Sequence, residues 1–168
     1  MCAALSEAEK GIGHTSPNPA VGAVLVAKGK IIARGHHRGA GSAHAEIECL
    51  QACHGAVPRE ATPYVTLEPC STAGRTPACT EALIAAGLRH VVVGAIDVNP
   101  RHAGRGIKAL RDARIDVRAG VLDADGTELK EAVKKCITTV RPWVIGKCGM
   151  TLDGRLRRLS TNTRQTTT

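Results

Sequence analysis

The sequence predicts an α/β fold, in which a central sheet is covered by helices on both faces. Three observations carry that reading. Short apolar runs alternate along the 168 residues with segments of helical spacing. The run Val91-Val92-Val93 has no polar alternation, as suits a central strand covered on both sides. Glycines stand at the ends of three helical segments, at Gly11, Gly55 and Gly87.

The elements follow in chain order. Residues 3–10 read as a short helix that stops at Gly11. Val21 to Ala27 and Ile31 to Arg34 are apolar runs joined by Lys28-Gly29-Lys30, which predicts a hairpin. His44 to Ala52 has helical spacing, with Ile47 and Leu50 on one face and Gly55 as the stop. Tyr64 to Leu67 is a short strand feeding a loop with two cysteines, and Pro77 suits the first turn of the next helix, which runs to about Ala86. After the Val91–Ile96 strand, Ile107 to Asp112 reads as a helix and Asp116 to Ala119 as a strand. Asp125 to Val140 is a longer helical segment, and Trp143 to Gly146 returns to strand. There is no internal repeat, and the only low-complexity stretch is the Thr-rich end.

Composition bounds the partners. The length suits one compact domain with a buried core. Phenylalanine is absent and Tyr64 and Trp143 are the only aromatics, so the core is aliphatic, and the composition argues against a single-strand-binding surface of stacked rings. The net charge of +8 suits an anionic partner, but Arg155, Arg157, Arg158 and Arg164 place half of that excess in residues 155–168, which contain no acid. A phosphorylated metabolite needs only a few placed cations, so nucleic acid is not required. The first residues carry Glu7 and Glu9 and no long apolar stretch, unlike a secretory signal, and no run approaches the length of a membrane span. Seven cysteines in that context fit a reduced cytoplasmic compartment with two metal-bound thiols. Cys49, Cys53 and Cys136 occupy mostly apolar helical positions and read as small buried hydrophobes; the i, i+4 pair Cys49/Cys53 is also compatible with a second metal by ligand type.

Two segments carry the chemistry. His44-Ala45-Glu46 supplies an imidazole and a carboxylate two residues apart, and Pro69-Cys70 with Cys79 supplies two thiols. One nitrogen and two sulfurs suffice for a catalytic zinc, whose fourth tetrahedral position is left for water. Glu46 is then free to move protons instead of binding metal, a division of labour found in zinc deaminases of nucleobases. It would take a proton from water, give it to a ring nitrogen, and protonate the departing amino group. The alternative is a closed structural zinc, with His37 or Cys49 as fourth ligand; such a site has no use for Glu46. Glu48 lies on a different helix face and reads as solvated, while Glu68 either steadies the loop or caps backbone N–H groups.

The spacing of the two cysteines, with Gly74-Arg75-Thr76-Pro77 between them, resembles the riboflavin-biosynthesis pyrimidine deaminases. Pro17-Asn18-Pro19-Ala20-Val21-Gly22, Gly35-His36-His37, Asp97-Val98-Asn99-Pro100 and Lys147 to Arg155 match the same pattern in the same order. The resemblance implies a three-layer α/β/α cytidine-deaminase-like fold with a central mixed sheet, and zinc ligands at the starts of two adjacent helices. Helix starts favour thiolate at Cys70 and Cys79. It further implies Zn2+, one per chain, held by His44, Cys70 and Cys79, and Glu46 as the catalytic group. Asn18, His37, Thr72, Arg75 and Asn99 fall where the family holds the pyrimidine and the ribose-phosphate arm. Thr72 and Ala78 depart from the His and Pro usual there, which bears on substrate affinity and not on metal.

The implied reaction is hydrolytic deamination of a diamino-oxo-pyrimidine ribosylamino phosphate in riboflavin biosynthesis, by a chain that self-associates as family members generally do. Deamination of another nucleobase, nucleoside or RNA base on the same scaffold is the alternative enzyme reading. A catalytically silent, metal-bound assembly partner is the alternative of another class. Residues 1–145 are expected to form the zinc-dependent deaminase domain. Residues 146–168 read as the truncated start of a reductase-like segment followed by a basic, Thr-rich tail. Lys147 to Arg155 resembles the first strand and turn of the family's nicotinamide-dependent reductase; a dinucleotide fold needs several βα units, so no use of NADPH is expected.

Overall fold

A computed structural model of the protein describes residues 1–72, 77–97, 99, 102–121, 131, 135, 139, 141, 144 and 146–155. Its elements are α1 (Cys2–Glu9), β1 (Gly22–Ala27), β2 (Lys30–His36), α2 (Ala45–Gln51), β3 (Thr62–Leu67), α3 (Cys79–Ala85), β4 (His90–Ala95), α4 (Arg105–Asp112) and β5 (Asp116–Arg118). The strands form one mixed sheet in the order β2-β1-β3-β4-β5. β1 is antiparallel to both β2 and β3, whereas β3, β4 and β5 run parallel.

The hairpin turns through Lys28 and Gly29 at φ 50° and 72°. Positive φ at both central residues matches the right-handed twist of the flanking strands. Alternation along β1 and β2 then sends successive side chains to opposite faces. One face carries Arg34 and His36, which reach Glu7 of α1. The other carries Ala23 and Ala33, which join Ala45 and Cys49 of α2, Leu83 of α3 and Leu110 of α4 in the main core. Helices therefore cover both faces, with α1 on one side and α2 to α4 on the other, and the expected α/β architecture holds.

Two glycines set how closely the helices approach. A Cβ on Gly22 would lie 2.1 Å from the Ala4 carbonyl oxygen of α1, and one on Gly35 would lie 2.4 Å from the Cys49 nitrogen of α2. The second contact sets which face of α2 meets the sheet. Backbone seated on Gly35 turns the small residues Ala45 and Cys49 inward together with Glu46, while Ile47 and Leu50 are only half-buried.

Other expectations change in detail. α3 starts at Cys79 with the extended Ala78 as N-cap, so Pro77 precedes the helix instead of opening it. Val91 and Val93 are wholly buried, but Val92, on the α1 face, is half-buried among the described residues. Cys49 is buried as expected, Cys53 is half-buried just past α2, and Cys136 lies outside the described residues. Of the 125–140 segment only Glu131, Lys135 and Thr139 are described, all three helical. The strand expected over 143–146 is not found at its described positions: Val144 is exposed and neither it nor Gly146 joins the sheet. No described helix is long and apolar enough to cross a membrane.

Candidate active site

The site assembles where α2 and α3 begin. His44 is the N-cap of α2, with extended backbone (φ −73°, ψ 161°), and Cys79 is the first residue of α3. Cys70 follows β3 in a loop that docks on α3: its sulfur accepts the Cys79 N–H at 3.3 Å and its carbonyl accepts the Thr80 N–H at 3.1 Å. Two otherwise unpaired donors of the helix start are thus satisfied by one cysteine. The ligand atoms of His44, Cys70 and Cys79 lie within 4.8 Å of one another, and they are the only such group of three among the described residues.

This arrangement fits zinc. His44 Nδ1 lies 3.2 Å from Cys79 Sγ and 3.5 Å from Cys70 Sγ. On a tetrahedral ion with bonds of about 2.3 Å to sulfur and about 2.0 Å to nitrogen, N and S stand about 3.5 Å apart. The proton chemistry agrees. The Cys70 thiol is held down to about 4, first by the hydrogen bond from the Cys79 thiol and then, against burial, by His44 and the Cys79 N–H. The Cys79 thiol is pushed up, because it holds the proton shared with Cys70 and is buried. Without a cation the two sulfurs share one proton, which lies on Cys79 and leaves Cys70 as the thiolate. Hydrogen bonding to Cys70 raises His44, with burial opposing. A divalent cation replaces the shared proton and charges both sulfurs.

Neither proposed fourth ligand is available. His37 is buried, with Nδ1 3.0 Å from the Ala43 carbonyl and Nε2 3.0 Å from Asn18 Nδ2. Burial pushes the Cys49 thiol up to about 12, and Cys49 packs in the core. The open-site reading is favoured over the closed structural one.

Glu46, in the first turn of α2, is 5% exposed. Burial pushes its carboxyl up to about 7, its own backbone N–H opposing and the Cys70 sulfur adding to the rise. A carboxyl in that range can both accept and return a proton near neutrality. Glu48, on the other side, pairs with Arg38 at 3.1 Å.

Asn18 and His37 join this cluster as a pair, and the His37 ring meets the His44 ring edge-on at 5.4 Å. The Ala43 carbonyl can only accept, so His37 carries its proton on Nδ1. In the neutral ring Nε2 is then an acceptor, which turns the Asn18 NH2 toward His37 and its oxygen away. Thr72 is exposed on the cysteine loop. Arg75 lies outside the described residues. Asn99 sits in the loop between β4 and α4, and Glu68 accepts backbone N–H groups of that loop. The capping reading of Glu68 holds, but the identity of its partners, some thirty to forty residues on, had no sign in the sequence.

Comparison with known proteins agrees with this geometry. Residues 1–95 match the family model of the cytidine and deoxycytidylate deaminase zinc-binding region. The riboflavin biosynthesis protein RibD of Aquifex aeolicus is 47% identical over 160 residues, 95% of this chain and 45% of that protein. RibD of Escherichia coli is 45% identical over 155 residues, 92% of this chain and 42% of its own length. The crystal structure of a diaminohydroxyphosphoribosylaminopyrimidine deaminase/5-amino-6-(5-phosphoribosylamino)uracil reductase from Thermotoga maritima superposes with a TM-score of 0.84 at 41% identity. That match covers 92% of this chain and 44% of the other. The chain thus spans less than half the length of the curated relatives it matches. By the family match and the zinc-fitting trio, the chain belongs to the cytidine and deoxycytidylate deaminase zinc-binding family.

Proposed function

We propose that this chain hydrolyses the amino group of 2,5-diamino-6-(5-phosphoribosylamino)pyrimidin-4-one, giving the corresponding uracil and ammonia in riboflavin biosynthesis. The observation that carries the reading is a buried Glu46 beside a His44/Cys70/Cys79 trio that is left one ligand short. Zinc held by His44, Cys70 and Cys79 would supply Lewis-acid activation of one water. Glu46 takes a proton from that water and delivers it to the ring nitrogen next to the carbon under attack. A second proton passes through Glu46 to the amino group, so that ammonia leaves as a neutral molecule and a carbonyl remains. Asn18, oriented by His37, offers its oxygen to a ring or amino N–H, which discriminates among pyrimidine edges. Thr72, Arg75 and Asn99 are assigned to the base and the ribose-phosphate arm, Arg75 through a charge-assisted bond.

In this reading residues 1–145 are the deaminase domain, and residues 146–168 hold a reductase-like segment and a basic tail that use no NADPH. Cytoplasm, self-association and the absence of a nucleic-acid partner belong to the same proposal, supported by the thiol ligands and the scarcity of aromatics. Ammonia release from the phosphorylated pyrimidine tests it directly. Equal or faster release from guanine, cytidine or tRNA would move the substrate to another base. A zinc-loaded chain with no turnover on any of them would leave an assembly role.

A further inference from the structure

We propose that Glu68 is a positioning residue that locks the Asn99 loop to the cysteine loop, so that the metal side and the substrate side of the site hold one geometry. The proposal rests on the deaminase reading above. Glu68 is 6% exposed. Among the described residues its carboxylate faces backbone N–H groups and no basic side chain. Oε2 accepts from Asp97 at 3.2 Å and Gly104 at 2.9 Å, and Oε1 accepts from Gly106 at 2.8 Å and Ile107 at 3.2 Å. Four bonds fill the acceptor capacity of a carboxylate. A neutral side chain cannot replace it, because a Gln amide would turn an N–H donor toward one pair of these donors.

The clamp grips both ends of the loop. Asp97 and Gly104 bracket Asn99, whose own N–H donates to Asp97 Oδ1 at 2.9 Å and whose carbonyl accepts from His102 and Ala103 at 2.8 and 2.9 Å. Behind it, a Cβ on Gly106 would come 1.9 Å from the Pro69 carbonyl oxygen, so α4 starts in direct contact with the residue preceding Cys70. Glu68, Pro69 and Cys70 are consecutive. One short segment therefore carries a metal sulfur at one end and the anchor of the Asn99 loop at the other. A shift of either is transmitted over three residues.

The test compares Glu68→Gln and Asp97→Ala with wild type for bound zinc, steady-state kinetics and amide hydrogen exchange. Both variants should keep one zinc per chain and a kcat within about threefold, while KM for the phosphorylated pyrimidine rises about tenfold or more, the pattern of lost ground-state and transition-state binding alike. Asn99→Ala should raise KM in wild type but add less than about twofold in the Glu68→Gln background, because residues acting through one contact are not additive. Exchange should quicken at Gly104, Gly106 and Ile107 in Glu68→Gln and stay slow at Val24 and Val65. A wild-type KM in both variants, zinc loss in Glu68→Gln, or a full additional effect of Asn99→Ala would each overturn the proposal. If the wild-type chain releases no ammonia, the deaminase reading fails separately, and exchange decides the clamp: unchanged protection at the three amides refutes it. Should Glu68→Gln not fold, Glu68→Asp, whose shorter side chain cannot reach both pairs of N–H groups, decides by the same split between KM and kcat.

Discussion

Gly35→Ala should disable the site without touching any of its residues. The new Cβ would lie 2.4 Å from the Cys49 nitrogen and 2.6 Å from the Ala45 oxygen, both backbone atoms of α2. Ordinary contact begins roughly 1 Å farther out, so α2 has to retreat by about 1 Å or β2 has to bend. Overpacking of this kind costs about 1–3 kcal/mol, which urea unfolding resolves as a lower midpoint at unchanged slope. Activity should suffer more. α2 starts at His44 and carries Glu46 in its first turn, and a displacement near 1 Å can cost about 100-fold in rate. Ammonia release, zinc content and urea midpoint measured on one preparation check the reasoning. An alanine variant with wild-type stability and turnover would refute it, since the close approach would then not hold α2 in place.

Cys79→Ser should lose zinc, and stability with it, because the ion joins the starts of two helices; metal analysis and thermal unfolding with and without chelator would show both. Glu7→Gln should cost roughly 1–3 kcal/mol at neutral pH, since a buried acceptor facing Lys10 at 2.7 Å and Arg34 at 3.4 Å becomes an amide. Burial works to raise the Glu7 carboxyl, but Lys10 and Arg34 outweigh it and hold it below its ordinary 4.5. A depressed carboxyl contributes stability above its unfolded value and loses it as pH falls through its folded one. The gap between wild type and Glu7→Gln should therefore be full at pH 7 and close below about 4.5 in urea titrations at several pH values. Arg75→Ala should lower kcat/KM for the phosphorylated pyrimidine by roughly tenfold or more while leaving the urea midpoint in place, as expected for a charge-assisted contact to substrate.

What the sequence revealed followed from local chemistry. Lys28-Gly29 between two apolar runs specifies a hairpin because the turn needs positive φ. The metal trio was legible because two thiols, an imidazole and a carboxylate at that spacing serve few other purposes. Contacts made by backbone left no trace. The seat of α2 on the sheet had no sign in the sequence, because Gly35 lets a helix surface of Ala45 and Cys49 sit against the strand while the half-buried Leu50 packs against the core. The partners of Glu68 were invisible for the same reason, since they are N–H groups that every residue but proline carries. His37 shows a third limit. The resemblance placed it among the substrate contacts, but that its ring bonds Ala43 and orients Asn18 is set by tertiary placement.

The central claim is that Glu46 moves protons beside a metal held by other residues. Glu46→Gln keeps size and hydrogen bonding but cannot accept a proton. Single-turnover ammonia release by zinc-loaded Glu46→Gln, with bound zinc measured in the same sample, tests the claim most directly. We expect one zinc per chain and a rate lower by about 10²–10⁴, the usual worth of a positioned acid–base group. Zinc lost from Glu46→Gln, or a rate within about tenfold of wild type with zinc in place, would contradict it.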